Sequence, residues 1–431
     1  MENQEYERDD QLLEARRLKR LEQKRRRKMQ QRIILGVLAL VIVLALVLII
    51  RGCSAAPAPE PEQIETPAEP IVETEPDTVV TLAAVGDIMI YDDLLADALQ
   101  EDGSYNFADS FSAISMYTSS ADLAVGNLEL NFCGEPYGGK PDFRAPEALA
   151  QTLKDIGFDI LQTANTYSIQ NGISGLSSTI KYLNTVGIDH VGTYAAEDDK
   201  QTNGGVLLKN VNGVKIAFFA YTKGLNNLTL PEGSEYAVDL LYKDYSTDYS
   251  KVAKDDILDS IAAAKALNPD IIVAMMHWGS EYDTGITETQ EEIRDLLLDN
   301  DVDIILGSHS HVVGPMKEQQ LVTASGDYKN TFVAYSLGNF YSSQTQDYAM
   351  ESVLLNLEIT KDGETGETTL TGVEYLPLYI LKNESGETAS FEVLPIRSAI
   401  GSGLFPEHEQ NMTDALANLR SNSASDYDSG K

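Results

Sequence analysis

From residue 79 onward, short apolar runs alternate with longer amphipathic stretches, and that alternation leaves few architectures open. The runs 79–85, 123–125, 158–163, 214–221, 271–276, 302–306 and 331–336 are almost continuously apolar rather than apolar at every second position. Strands of that kind are buried on both faces, so helices or a second sheet must cover them. Covering helices are visible: 249–267 carries Val252, Ile257, Ile261 and Ala264 at helical spacing, and 289–300 carries Ile293, Leu296 and Leu297. The chain reads as an α/β fold in which polar residues at strand exits collect along one sheet edge, where ligands bind.

After Asn339-Phe340 the texture changes. Segments 353–359, 368–376 and 390–393 alternate apolar and polar residues, with Asp362-Gly363 as a turn signal. They predict antiparallel strands that complete or extend a sheet. The main domain is expected at 79–345, a C-terminal β extension at 346–405, and a polar tail at 406–431 where a short helix, 412–419, precedes a frayed end.

Upstream, residues 33–50 are 18 consecutive apolar or glycine positions between Arg32 and Arg51. At a rise of about 1.5 Å per residue this is about 27 Å, close to the hydrocarbon thickness of a bilayer. The basic segment 1–32 holds ten Lys and Arg and one acid, Glu22, between Arg16 and Arg32. The positive-inside rule therefore predicts a cytoplasmic N-terminus, a single transmembrane helix at 33–51 and an extracellular main domain. A cleaved signal peptide is the competing reading, but its n-region and apolar core would both be oversized. Residues 52–78 form a Pro- and Glu-rich linker, a stiff and self-repelling stalk. Cys53 stands where a lipid attachment site would, although Arg51 fits poorly the small residues such a site prefers.

Charge and cysteine narrow the function classes. The first 51 residues contribute +5 of the formal −35, so the remainder carries −40. A surface this acidic excludes nucleic acid as a partner, because phosphate backbones are bound by Lys and Arg clusters. Cys53 and Cys133 are the two cysteines and lie too far apart in the organisation to staple the domain.

The strand exits carry the chemistry. Asp87 ends the first run, Asn127 and Glu129 follow the second, and Asn165 follows the third within Thr163-Ala164-Asn165-Thr166-Tyr167. His277 closes another, and Gly307-Ser308-His309-Ser310-His311 leaves the next. Asp87, Glu129, Asn165, His277, His309 and His311 have the number and type of donor for two divalent metals about 3.5–4 Å apart, manganese, zinc or iron, able to hold a phosphate and activate water. Taken singly, each has a bland alternative as a turn or packed residue. Tyr242, Tyr245 and Tyr249 read as packing rings rather than sugar platforms.

His277-Trp278-Gly279-Ser280-Glu281-Tyr282, Ile305-Leu306-Gly307-Ser308-His309-Ser310-His311 and Tyr335-Ser336-Leu337-Gly338-Asn339-Phe340 resemble the CapA family of capsule and poly-γ-glutamate biosynthesis proteins. That family is similar to the calcineurin-like metallophosphatases. The resemblance covers about residues 79–341 and implies a four-layer metallophosphatase-like sandwich, two packed mixed sheets flanked by helices. It also implies that Asp87 and His311 hold one metal, that Asn165, His277 and His309 hold the other, and that Glu129 bridges. Asn127, Glu281 and Asn339 would orient these ligands, and Gly126, Gly279 and Gly307 would admit backbone close to the site.

One departure bears on activity. Tyr167 stands where the metallophosphatases place the histidine that protonates the leaving oxygen, and a phenol is the poorer donor near neutral pH. With His277, Tyr167 is the candidate catalytic residue. Ser310 replaces a common proline between the two histidines. The expected protein is a membrane-anchored, extracytoplasmic, metal-dependent hydrolase or transferase acting on a cell-surface polymer or its precursor. The alternative is a non-catalytic member that binds polymer or a membrane synthase.

Overall fold

The computed structural model describes residues 75–322, 328–423 and 425–430. The basic segment, the transmembrane helix expected at 33–51 and the linker as far as residue 74 lie outside the described residues, and among the described residues no helix is long and apolar enough to cross a membrane.

The strands, in chain order, begin with β1 (Thr78–Ile88), β2 (Leu123–Leu128), β3 (Ile160–Gln162) and β4 (Asp189–Val191). Then come β5 (Leu207–Val211), β6 (Val214–Thr222), β7 (Ile271–His277), β8 (Ile304–Ser308), β9 (Met316–Val322) and β10 (Tyr328–Ala334). The last are β11 (Asn339–Tyr341), β12 (Glu351–Lys361), β13 (Thr368–Asn383) and β14 (Ser390–Pro395). They form two mixed sheets. The first runs β14-β13-β12-β1-β2-β3-β4 with β11 beside β1, and the second runs β5-β6-β7-β8-β10-β9. In the first, β1 to β4 are parallel while β12, β13 and β14 add on antiparallel. In the second, β6, β7, β8 and β10 are parallel and both edges are antiparallel.

The two faces of each central strand explain why the sequence runs lack alternation. Val80, Leu82 and Ala84 of β1 pack in one core with Phe218, Val273, Met275 and Leu306 of the second sheet. The intervening Ala83 and Val85 pack with Leu149, Leu153 and Leu183, from helices Ala148–Asp155 and Gly172–Val186. On the far side, Phe219, Tyr221, Ala274 and Met276 meet Ile257, Ile261, Ile293 and Leu297 of helices Lys254–Ala266 and Glu288–Leu298. The layers are therefore helix, sheet, sheet, helix. Each fully buried Leu or Phe contributes roughly 1.5–3 kcal/mol to that assembly. Helix Glu288–Leu298 starts where Thr287 and Gln290 cap each other, Gln290 N donating to Thr287 Oγ1 at 3.2 Å and Thr287 N to Gln290 Oε1 at 3.0 Å.

The C-terminus departs from expectation. Instead of a short helix and a frayed end, helix Glu409–Asn422 sends Met412, Ala415 and Leu419 into the core beside Leu370, Tyr375 and Ile396. Asp428 then accepts from Arg397 and from Arg420 Nε, the latter at 2.8 Å, and the Tyr427 ring meets Phe332 edge-on. Three apolar residues at helical spacing are enough to seat one face, which the polar composition of the segment conceals.

Candidate metal centre

All six expected donors lie at or just beyond strand ends: Asp87 in the last residues of β1, Glu129 after β2, Asn165 after β3, His277 closing β7, and His309 and His311 after β8. Two glycines permit the close approach. A Cβ on Gly86 would lie 1.8 Å from the Gly338 carbonyl oxygen, and one on Gly307 would lie 2.0 Å from that of Tyr335. His309 and His311 occupy left-handed backbone, with φ of 93° and 60°. Such conformations cost of order 1–3 kcal/mol and persist where the surroundings hold them.

The side chains form two overlapping triads. Glu129, His277 and His309 have ligand atoms within 4.8 Å of one another, as do Asp87, Glu129 and His311, so Glu129 belongs to both. All five are buried, Asp87, Glu129 and His277 completely. The His277 and His309 rings lie 4.6 Å apart. His311 Nδ1 is 2.9 Å from Asp87 Oδ2, and Asn127 Nδ2 donates to Asp87 Oδ1 at 2.7 Å and to Glu129 Oε2 at 3.2 Å. Asn165 joins through its neighbours: its Nδ2 donates to the Leu128 carbonyl at 2.7 Å and to Asn127 Oδ1 at 3.1 Å, while its Oδ1 accepts the Tyr167 amide.

Two atoms test whether these residues fit a cation. Glu129 Oε1 is buried with no hydrogen-bond partner, and so is His277 Nε2. The imidazole nitrogen lies 3.2 Å from Glu129 Oε2 but without hydrogen-bond alignment. A buried carboxylate oxygen left bare is costly, and a cation shared with the facing nitrogen would relieve it. The tautomer agrees. Thr222 Oγ1 lies 3.2 Å from both the Gly224 carbonyl oxygen and His277 Nδ1; with its proton given to the carbonyl it accepts from Nδ1–H, which leaves the lone pair on Nε2.

Electrostatics follow from the same contacts. Burial, then the neighbouring His277 and His311 and the Lys223 ammonium, hold His309 well below the usual imidazole range, so it is neutral at pH 7. Burial also pulls His311 down, but its hydrogen bond to Asp87 and the nearby carboxylates of Glu129, Asp87 and Glu281 lift it to about 9. Asp87 is pushed up by burial and pulled further down by the His311 hydrogen bond and charge, ending below the ordinary carboxylate value. A cation arriving here would displace the proton that Asp87 and His311 share.

The remaining expected residues divide. Asn127 ties both carboxylates together, as above. Asn339 pairs in register with Asp87, its Nδ2 donating to Gln344 Oε1 at 2.9 Å and to the Ala349 carbonyl, with Oδ1 unpartnered. Glu281 is exposed and, among the described residues, makes no hydrogen bond to the cluster; it lines a cleft beside it. The Tyr167 ring packs 4.0 Å from Phe143, and its hydroxyl is raised far above the usual phenol range by burial and then by Glu129 and Glu281. It stays a neutral phenol. Gly126 serves packing rather than the centre, since a Cβ there would meet Val85 and Phe158, and one on Gly279 would meet Gln290.

Sequence reasoning missed Thr222, Lys223 and Tyr282. The first two follow the run 214–221, and the strand-exit argument applied there points to both. Tyr282 places its ring 5.7 Å from His311, its amide donates to the Ser310 carbonyl at 2.7 Å, and its hydroxyl is pushed up to about 12 by burial and then by Glu281 and Glu129.

Residues 81–344, more than half of the chain, match the bacterial capsule synthesis protein family PGA_cap. The PGA biosynthesis protein CapA of Bacillus subtilis (strain 168) is 26% identical over 312 residues, 71% of this chain and 74% of that protein. The capsule biosynthesis protein CapA of Bacillus anthracis is 28% identical over 295 residues, 66% of this chain and 65% of that one. Among solved structures, a novel phosphatase from Mycoplasma pneumoniae aligns over 70% of this chain and 94% of its own at 14% identity and a TM-score of 0.39. A 5'-nucleotidase precursor from Thermus thermophilus aligns over 80% and 59% at 13% identity and a TM-score of 0.40.

Proposed function

Because the chain belongs to the PGA_cap family of bacterial capsule synthesis proteins, we propose that it acts in building a capsule or poly-γ-glutamate-type polymer at the cell surface, as a metal-dependent hydrolase or transferase. The carrying observation is the pair of triads sharing Glu129, with Glu129 Oε1 and His277 Nε2 buried and unpartnered. Asp87 and His311 would hold one divalent cation, His277, His309 and Asn165 the second, and Glu129 would bridge them. Bound there, the pair would polarise the bond attacked and activate water. Thr222 would orient the His277 ring, Asn127 holds both carboxylates in register, and the Tyr167 hydroxyl, its ring packed against Phe143, keeps its proton. The residues 33–51 would anchor the chain with its N-terminus cytoplasmic, presenting the domain outside to the polymer, its precursor or a membrane synthase. Nucleic acid is not a partner on this reading, because the surface is acidic.

The test is metal analysis of the purified chain together with hydrolysis of bis-p-nitrophenyl phosphate with and without added manganese. Two equivalents of metal and turnover lost in His309→Ala support the reading. No metal under any condition refutes it. A second reading is favoured by Tyr167: a family member that keeps the centre to bind polymer or synthase but turns over nothing. Metal without turnover, with turnover gained by Tyr167→His, selects it.

A further inference from the structure

The cluster opens on one side into a cleft of about 340 Å³ in which His309 and Thr166 form the inner wall. That volume is within the range of small-molecule sites, and the lining is polar: Asn226, Asn227, Glu281 and the edge of Tyr249 complete it around Lys223. Lys223 directly follows the residue that orients His277, and its amide donates to the His277 carbonyl at 2.8 Å. The backbone is thus fixed to the centre. Its ammonium donates to the Gly279 carbonyl at 2.6 Å and sits 5.2 Å from the Tyr249 ring centroid.

What distinguishes Lys223 is that no carboxylate pairs with it directly, the Glu281 charge in the same cleft acting on it only from a distance. Among the described residues no carboxylate lies within 4.0 Å of it, whereas the other lysines without such a partner, such as Lys181 and Lys215, are exposed. Lys223 is half-buried. A partly desolvated ammonium with donor capacity to spare, beside two side-chain amides, is built to receive an oxyanion. The setting sharpens this, since an overall charge of −35 disfavours anionic partners and leaves presented ammonium groups as the places to meet one.

We propose that Lys223, with Asn226 and Asn227, receives a second anionic group of the substrate, a carboxylate or phosphate beyond the bond placed at the paired triads. The assignment rests on the functional reading above for what lies at that other end. It makes Lys223 a specificity residue rather than a catalytic one.

The test uses the full chain passed over a chelating resin, with glutarate and inorganic phosphate as separate calorimetric probes. One of them binds, more weakly as salt is raised, and which one does so identifies carboxylate or phosphate as the recognised group. Lys223→Gln weakens that binding about tenfold or more, Lys223→Arg keeps it within about threefold, and Lys181→Gln, at an exposed lysine outside the cleft, leaves it unchanged. Failure of both probes, or binding by Lys223→Gln equal to that of the parent chain, overturns the assignment. A parallel manganese titration separates the two ideas and checks folding: manganese binding equal in parent and Lys223→Gln leaves the centre intact. Absence of manganese binding with the anion results as stated removes the hydrolase reading alone.

Discussion

Glu129 and Asp239 are both buried carboxylates near strand exits, and they have been treated oppositely by the fold. Asp239 accepts from the Tyr194 hydroxyl at 2.6 Å and pairs with Lys200 at 2.7 Å, so both of its oxygens are occupied. Burial raises its pKa and the Lys200 charge brings it part of the way back. Glu129 has a donor on one oxygen and nothing on the other. The difference teaches how to separate architecture from function in this chain. A saturated buried acid ties elements together, whereas an unsaturated one facing bare imidazole nitrogen is kept open for a ligand. Glu351 is intermediate: Oε1 accepts from Asn418 at 2.8 Å, and among the described residues Oε2 has no hydrogen-bond partner and no imidazole joins it in a triad.

Four measurements would break or sharpen this contrast. The largest effect is expected from His309→Ala, which should lower metal-dependent turnover at least about a hundredfold and reduce bound metal, read by elemental analysis alongside initial rates; unchanged metal content would erase the distinction. Asp239→Ala should leave metal content intact and cost about 2–3 kcal/mol in urea unfolding, because Tyr194 and Lys200 lose their acceptor. Equal stability would mean the tie is idle.

Glu351 tests the intermediate case through pH. Burial first, and then Asp414, raise its carboxyl to about 7 despite the Asn418 hydrogen bond. The folded chain therefore holds that proton more tightly than the unfolded chain does. The resulting stabilisation is complete below about pH 4.5 and lost as pH rises through about 7, amounting to roughly 3 kcal/mol. Glu351→Gln should flatten that slope in unfolding curves taken across the window; an unaltered slope would exonerate Glu351. The smallest effect belongs to Thr222→Val, which frees the His277 tautomer. It should weaken manganese binding about tenfold in a calorimetric titration while leaving the melting temperature nearly in place.

The sequence was readable where physics is local. Continuous apolar runs flanked by amphipathic stretches announce strands buried on both faces, and Asp87, Glu129, His277, His309 and His311 are conspicuous because polar groups seldom cap such runs. Helix Glu409–Asn422 was underread because Met412, Ala415 and Leu419 are diluted by polar neighbours, and burial depends on a partner surface that no window of sequence contains. Glu281 stands apart from the buried cluster: the turn at Gly279 carries it outward to the cleft it shares with His309, from where its charge still reaches His311. Lys223 and Thr222 lay in plain view after an apolar run, but neither is a customary chelating type, and their roles arise from distances between strands.

The placement of β1 also governs how the chain must assemble. It pairs with β2 on one side and, from Thr78 to Ala84, with β12 on the other, a segment made some 270 residues later during synthesis. Until that late strand emerges, the first one has an open flank of unpaired amides and carbonyls, the kind of edge that recruits other chains. Truncation near residue 345 would make this transient hazard permanent, yielding aggregates from a fragment that still contains every proposed metal ligand.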